Sequence, residues 1–122
     1  MNTYKAPIKD MKFVMFDLLQ AEQTYQQLGF DNTDREILDA VLEEAAKFTE
    51  QVLSPLNNTG DQQGCHFDKD SGKVRTPDGF KQAYQQYVDA GWSGLTASEA
   101  LGGQNMPESL SCIFKEMIDA AN

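Results

Sequence analysis

Long apolar runs are missing from this chain of 122 residues. A membrane-spanning helix needs roughly 20 consecutive apolar residues, and no stretch comes near that, so no membrane span is expected. Cations are scarce as well: ten lysines and arginines stand against nineteen aspartates and glutamates, for a net charge of -9. A nucleic-acid binder gains affinity when a cationic face releases counterions from the phosphate backbone. This composition offers no such face and argues against nucleic acid as a partner. The acidic balance serves solubility. Cysteine occurs twice. Cys65 and Cys112 sit far apart in differently patterned segments, which suits free thiols in a reducing compartment better than a disulfide framework, and the cytoplasm is the expected location. A secretory leader is lacking too. Lysines precede an apolar segment in the first nineteen residues, but Lys9, Asp10, Lys12 and Asp17 interrupt it and no small-residue cleavage site follows. Without secretion, the acceptor pattern Asn57-Asn58-Thr59 carries no weight.

What the chain has is helical periodicity. Met11, Val14, Met15, Leu18 and Leu19 recur at helical spacing between Ile8 and Leu19, widened by Phe13 and Phe16, and predict one apolar stripe facing a neighbour. A short helical pattern from Ala21 to Leu28 ends at Gly29, a suitable left-handed cap. Thr33-Asp34-Arg35-Glu36 reads as a capping box with Thr33 as N-cap. The helix it opens keeps Leu38, Val41, Leu42, Ala45, Phe48 and Val52 on one face until Ser54-Pro55, where proline should stop it.

From Asn57 to Thr76 the periodicity breaks. Cys65-His66-Phe67 and Val74-Arg75-Thr76 flank Asp-Lys-Asp-Ser-Gly, which predicts a loop with a small, weak hairpin. Thr76 and Pro77 should cap a helix carrying Phe80, Ala83, Tyr84, Tyr87 and Val88 and closed by Gly91. A glycine-punctuated loop, Gly91 to Pro107, then leads into a helix with Leu110, Ile113, Phe114, Met117 and Ile118 at core spacing. That helix is still amphipathic at Asn122 with no terminator arranged beyond it. The sequence therefore reads as a single all-α helical bundle domain over residues 1–122, expected to be the N-terminal piece of a longer chain. A stand-alone helical interaction module is the alternative. Apolar stripes left uncovered predict self-association.

The residue types that carry chemistry do not assemble into a constellation. Asp68 to Gly72 resembles a calcium loop, but the sixth position is Lys73 and the twelfth Gly79, where glycine and a bidentate glutamate belong; a tight turn is the better account. Cys65 and His66 are adjacent in an extended segment and point to opposite faces, so they cannot converge on one atom. Zinc would need further ligands, and the only other soft one is Cys112. His66 is expected at the surface beside a half-buried thiol. Gly102-Gly103 precede a helix N-terminus, where anions bind, yet neither phosphate-loop spacing is present; backbone turning at Gly94, Gly102 and Gly103 is the stronger reading. Trp92 is expected to plug the interhelical core. The carboxylates fall on polar helix faces. Sequence alone therefore names no catalytic, cofactor-binding or metal residue.

Ala90-Gly91-Trp92-Ser93-Gly94-Leu95, followed by Glu99-Ala100-Leu101-Gly102-Gly103-Gln104-Asn105-Met106-Pro107, resembles a signature in the N-terminal helical domain of acyl-CoA dehydrogenases. Ala100-Leu101 stands where Glu-Tyr is usual, and Asn105 where glycine is common. Tyr4 to Val14 further resembles the long bacterial subclass that includes 3-methylmercaptopropionyl-CoA dehydrogenases, and Glu43 to Phe48, Leu53 to Asn57 and Thr76 to Phe80 fit the same pattern. The resemblance spans nearly the whole chain. It implies an FAD enzyme that oxidises an acyl-CoA thioester between Cα and Cβ, a carboxylate taking the α proton and the flavin a hydride, with electrons passed to an electron-transfer flavoprotein. It also implies a homo-oligomeric parent whose flavin site and catalytic glutamate belong to later domains, so that this stretch alone would be inactive and bind no FAD.

Overall fold

Helix α3, Arg35–Phe48, fixes the layout, because Leu38, Leu42, Ala45 and Phe48 on one of its faces are all buried in the core. The structure is a computed structural model and describes residues 3–122; Met1 and Asn2, where the leader tested above would begin, lie outside the described residues. The N-cap of α3 is Asp34, not Thr33. The Asp34 backbone is extended and its carboxylate accepts from the Ile37 amide at 3.0 Å. Thr33 is buried instead and its hydroxyl donates to the Phe30 carbonyl, so the box predicted one residue earlier does not form. A burial-driven turn has claimed the threonine, and aspartate caps as well.

Ser54-Pro55 does not end the run. After α3 the backbone widens into a π-helical turn over Thr49–Leu53, tightens into a 3₁₀ turn over Ser54–Leu56, and continues as α4 over Asn57–Gln63. Ser54 keeps right-handed helical angles although a proline follows it. Two causes outweigh the local bias. Pro55 stands in the first turn of the 3₁₀ segment, the part of a helix that proline tolerates best. Ser54 is also buried and its hydroxyl oxygen accepts the Tyr4 amide at 3.1 Å, a contact 50 residues long in sequence. Residues 57–63, expected as loop, are therefore helical until Gly64 takes positive φ.

The first stripe is re-registered in the same way. Helix α1, Ile8–Lys12, runs into a π-helical segment, Phe13–Leu18. A π turn inserts a residue into the helical period. Met11, Met15 and Phe16 are buried, whereas Val14, Leu18 and Leu19 of the expected stripe are exposed. Lys12 ties the segment to α3 through Asp39 and Glu43, at 3.4 and 2.7 Å. Helix α2, Ala21–Gln27, ends as expected at Gly29, φ +84°.

Strands β1, His66–Phe67, and β2, Val74–Arg75, form the expected antiparallel hairpin, pairing His66 with Arg75 and Phe67 with Val74. Helix α5, Phe80–Asp89, begins at Phe80 with Gly79 as its N-cap residue. Thr76 and Pro77 do not cap it, since Gly79 at φ +87° first turns the chain against Leu56. Helix α6, Glu108–Ala121, follows Pro107 and buries Leu110, Phe114, Met117 and Ala121. Its hydroxyl-bearing Ser109 meets the Tyr25 hydroxyl of α2. The fold is helical with a single two-stranded sheet among the described residues, as the all-α expectation requires. No helix of the described residues is long and apolar enough to cross a membrane.

Candidate functional site

An apolar cleft opens where the end of α3, the start of α4, helix α5 and the end of α6 converge. It encloses about 330 Å³ between Phe48, Leu53, Leu56, Phe80, Ala83, Tyr84, Tyr87, Ile118 and Asn122. Two glycines let its walls close up. A Cβ on Gly60 would stand 2.6 Å from the Phe80 ring, and one on Gly79 would stand 2.6 Å from Leu56. The tip of the Phe80 ring therefore packs close against α4, and Leu56 against the turn into α5. Behind them the aromatic rings form a continuous stack. Tyr87 lies 6.2 Å from Phe114 and 6.1 Å from Phe48, and Tyr84 lies 6.3 Å from Tyr87. Asn122 closes one end, its side-chain amide donating to the Leu53 carbonyl at 2.9 Å. That carbonyl lies at the end of the π-helical turn. No carboxylate, lysine, histidine or thiol lines the cleft. Its chemistry is apolar and aromatic contact.

The loop between α5 and α6 is built of backbone bonds. Gly102 donates to the Glu99 carbonyl, Gly103 to Ser98, Gln104 to Gly94, Asn105 to Ala97 and Met106 to Leu95. Every amide from Gly102 to Met106 is thus committed inside the loop, and none is left to cradle a phosphate. Gly102 holds φ +81°, as expected; Gly103 does not take positive φ, and a close approach excludes a side chain there instead, since it passes beneath the Ala97 backbone. Gly94 departs from expectation: its φ is not in the left-handed region, and a Cβ placed on it would meet the Gly103 Cα at an ordinary 3.5 Å. Trp92 also departs. It is half-buried and leans on Phe114 with ring centroids 4.4 Å apart, while Leu95 and Met106 are the loop residues that enter the core. The loop's backbone ladder pins those two side chains inward and leaves the indole at the rim.

Cys65, His66 and Cys112 are all exposed, so the half-buried thiol expected beside His66 is not found. No group of three His, Cys, Asp or Glu side chains among the described residues is placed to hold a metal ion. Asp68 to Gly72 forms a turn. The Asp68 carboxylate accepts the Ser71 hydroxyl at 2.7 Å and the Asp70 amide at 2.9 Å. These donors hold it below the usual carboxylate range, and a carboxylate so engaged serves its own turn.

Sequence reasoning passed over Glu50. Its carboxylate accepts the Ala6 amide at 2.9 Å and the Lys5 ammonium at 3.1 Å. The Ala6 bond, with help from Lys5 and against partial burial, lowers its affinity for a proton. Glu50 lies on the polar side of the helical pattern, and only the fold brings the N-terminal segment to it.

The diphosphate of the flavin that the resemblance implies would need amide or cationic donors converging on one cleft; the amides of Gly102 to Met106 are bonded within their own loop, and no cation lines the apolar cleft.

No family model matches the chain. Individual proteins do. Over 125 aligned residues it is 33% identical to 3-methylmercaptopropionyl-CoA dehydrogenase of Ruegeria pomeroyi, an alignment covering 98% of this chain and 20% of that protein. Over 122 residues it is 27% identical to the broad-specificity linear acyl-CoA dehydrogenase FadE5 of Mycobacterium tuberculosis, covering 100% and 20%. Butyryl-CoA dehydrogenase of Syntrophomonas wolfei is 33% identical over 97 residues, covering 74% of this chain and 15% of the relative. The chain thus spans no more than about a fifth of the length of the relatives it matches. The relatives that the chain matches are acyl-CoA dehydrogenases, 3-methylmercaptopropionyl-CoA dehydrogenase among them.

Proposed function

We propose that residues 1–122 are the N-terminal helical domain of an FAD-dependent, cytoplasmic acyl-CoA dehydrogenase. The observation that carries this reading is the alignment with 3-methylmercaptopropionyl-CoA dehydrogenase, which takes in nearly all of this chain. The parent reaction is α,β-dehydrogenation of an acyl-CoA thioester. A carboxylate removes the α proton, the β hydrogen leaves as hydride, and an electron-transfer flavoprotein takes the electrons. The flavin and the carboxylate base belong to other domains of the same parent, so the helical domain by itself neither binds FAD nor turns over substrate.

The test compares the isolated 122-residue chain with the product of the full reading frame that encodes it. The full product is expected to carry flavin absorbance that bleaches on addition of acyl-CoA, and the isolated chain to remain colourless in the presence of FAD. A full product without flavin, or one whose flavin ignores acyl-CoA thioesters, would overturn the assignment.

A further inference from the structure

Tyr4 to Pro7 form neither helix nor strand, yet they are held along their length. Tyr4 and Ala6 are half-buried against the core, while Lys5 and Pro7 alternate with them and are exposed. That two-residue alternation is the pattern of an extended strap. Its inward side bonds to two side chains. The Tyr4 amide donates to the Ser54 hydroxyl at 3.1 Å and the Ala6 amide to the Glu50 carboxylate at 2.9 Å, with the Lys5 ammonium on the other carboxylate oxygen at 3.1 Å. All three bonds end on one short stretch of chain: the π-helical turn and the first residue of the 3₁₀ turn that follows it.

At that junction local preference and observed structure disagree. A residue before proline is pushed from helical to extended backbone, but Ser54 holds φ -56° and ψ -42°. Left to local chemistry, the helix would end at Ser54-Pro55. What the junction carries beyond that point is one wall of the apolar cleft. Leu53 and Leu56 line the cleft, Leu56 meets Gly79, and Gly60 of α4 meets the Phe80 ring. Helix α4 buries no residue of its own. At its far end Gln63 exchanges two exposed hydrogen bonds with Asp78, and such bonds contribute little net stability. The position of α4 therefore depends on the junction being kept helical.

We propose that the strap is a latch on the apolar cleft. Docked, it holds Glu50 and Ser54 in helical register, α4 continues past Pro55, and Leu56 and Gly60 close on Gly79 and Phe80. Undocked, Ser54 relaxes to the extended backbone that Pro55 favours, α4 swings away from the turn into α5, and the cleft opens on that side. The two states are the competing preferences of one junction, and the strap biases the choice between them. The coupling runs both ways. Anything that favours the closed cleft holds the strap down, and anything that draws the strap away loosens the cleft.

Amide exchange measured by NMR on the 122-residue chain tests this. Y4P/A6P removes both strap donors and leaves the sequence of α3 and α4 untouched. Exchange in α4, read at Gly64, whose amide donates to the Gly60 carbonyl at 2.9 Å, should accelerate by about tenfold or more. The ring-current shift that Phe80 imposes on the Gly60 α protons should collapse with it. Adding Pro55→Ala removes the local bias that the strap opposes, so Y4P/A6P/P55A should recover most of both signals. Trp92 emission reports whether the core between α5 and α6 survives. Should Y4P/A6P lose it, Glu50→Gln, with and without Pro55→Ala, gives the same reading through the Ala6 and Lys5 bonds alone. Exchange and shift that match the unaltered chain would show that the strap does not hold the junction. A loss that Pro55→Ala fails to recover would show general destabilisation instead, and either result overturns the proposal.

Discussion

Gly103 passes directly under the carbonyl of Ala97: a Cβ placed on it would stand 2.1 Å from that oxygen and 2.4 Å from its carbon. Both groups are backbone, in a ladder that also carries the bonds from Gln104 to Gly94 and from Asn105 to Ala97, so neither can rotate aside. Gly103→Ala should cost about 3 kcal/mol, at the upper end for overpacking. Gly102 has open space around it and only a positive φ of +81° to forbid a side chain, so Gly102→Ala should cost about 1 kcal/mol. Urea unfolding of the two variants checks the order. Equal costs would mean that the loop yields around Gly103.

Helix α3 gives a second prediction. Asp34 supplies the cap and Glu36 supplies nothing to it. Asp34→Ala should destabilise the chain by about 1 kcal/mol, and Glu36→Ala by no more than a few tenths. A capping box centred on Thr33 would demand that Glu36→Ala be the costlier of the two, and thermal unfolding of both variants separates the cases.

Glu50 predicts a pH dependence. Its proton affinity is lowered in the folded chain, first by the Ala6 amide. A carboxylate lowered on folding contributes stability above its unfolded pKa and loses that contribution as pH falls through its folded pKa. The stability gap between the wild-type chain and Glu50→Gln should therefore be constant at neutral pH. It should close as pH falls below the ordinary glutamate range. Amide exchange at Ala6, measured by NMR, should accelerate in the variant at neutral pH, whereas unchanged exchange would detach the N-terminal segment from Glu50.

Phe114 is the hub of the aromatic stack, with Phe48, Tyr87 and Trp92 around it. Phe114→Ala should cost about 4 kcal/mol, the loss of a large buried ring together with the cavity left behind. Trp92 fluorescence provides the readout, since its indole packs at 4.4 Å from that ring and should shift to longer wavelength as water enters.

Much of this was legible in one dimension. Helical spacing located α2, α3, α5 and α6, because a buried stripe recurs every three to four residues whatever it packs against. Glycines at 29, 91 and 102 marked backbone turns that few other residues tolerate, whereas Gly103 is required by its close approach to Ala97. The ordered motif from Gly91 to Pro107 carried the resemblance to the family without any contact being known. What the tertiary structure decided were the places where a distant partner outweighs a local preference. Ser54 stays helical before a proline because Tyr4 reaches it. The first helix turns Met15 and Phe16 inward and leaves Leu18 and Leu19 in water because a π turn shifts its register. Glu50 gains a role because the chain's first residues return to α3. Periodicity fixes which face a regular helix buries, but a single inserted residue rotates that face, and the energy that selects the insertion comes from side chains tens of residues away.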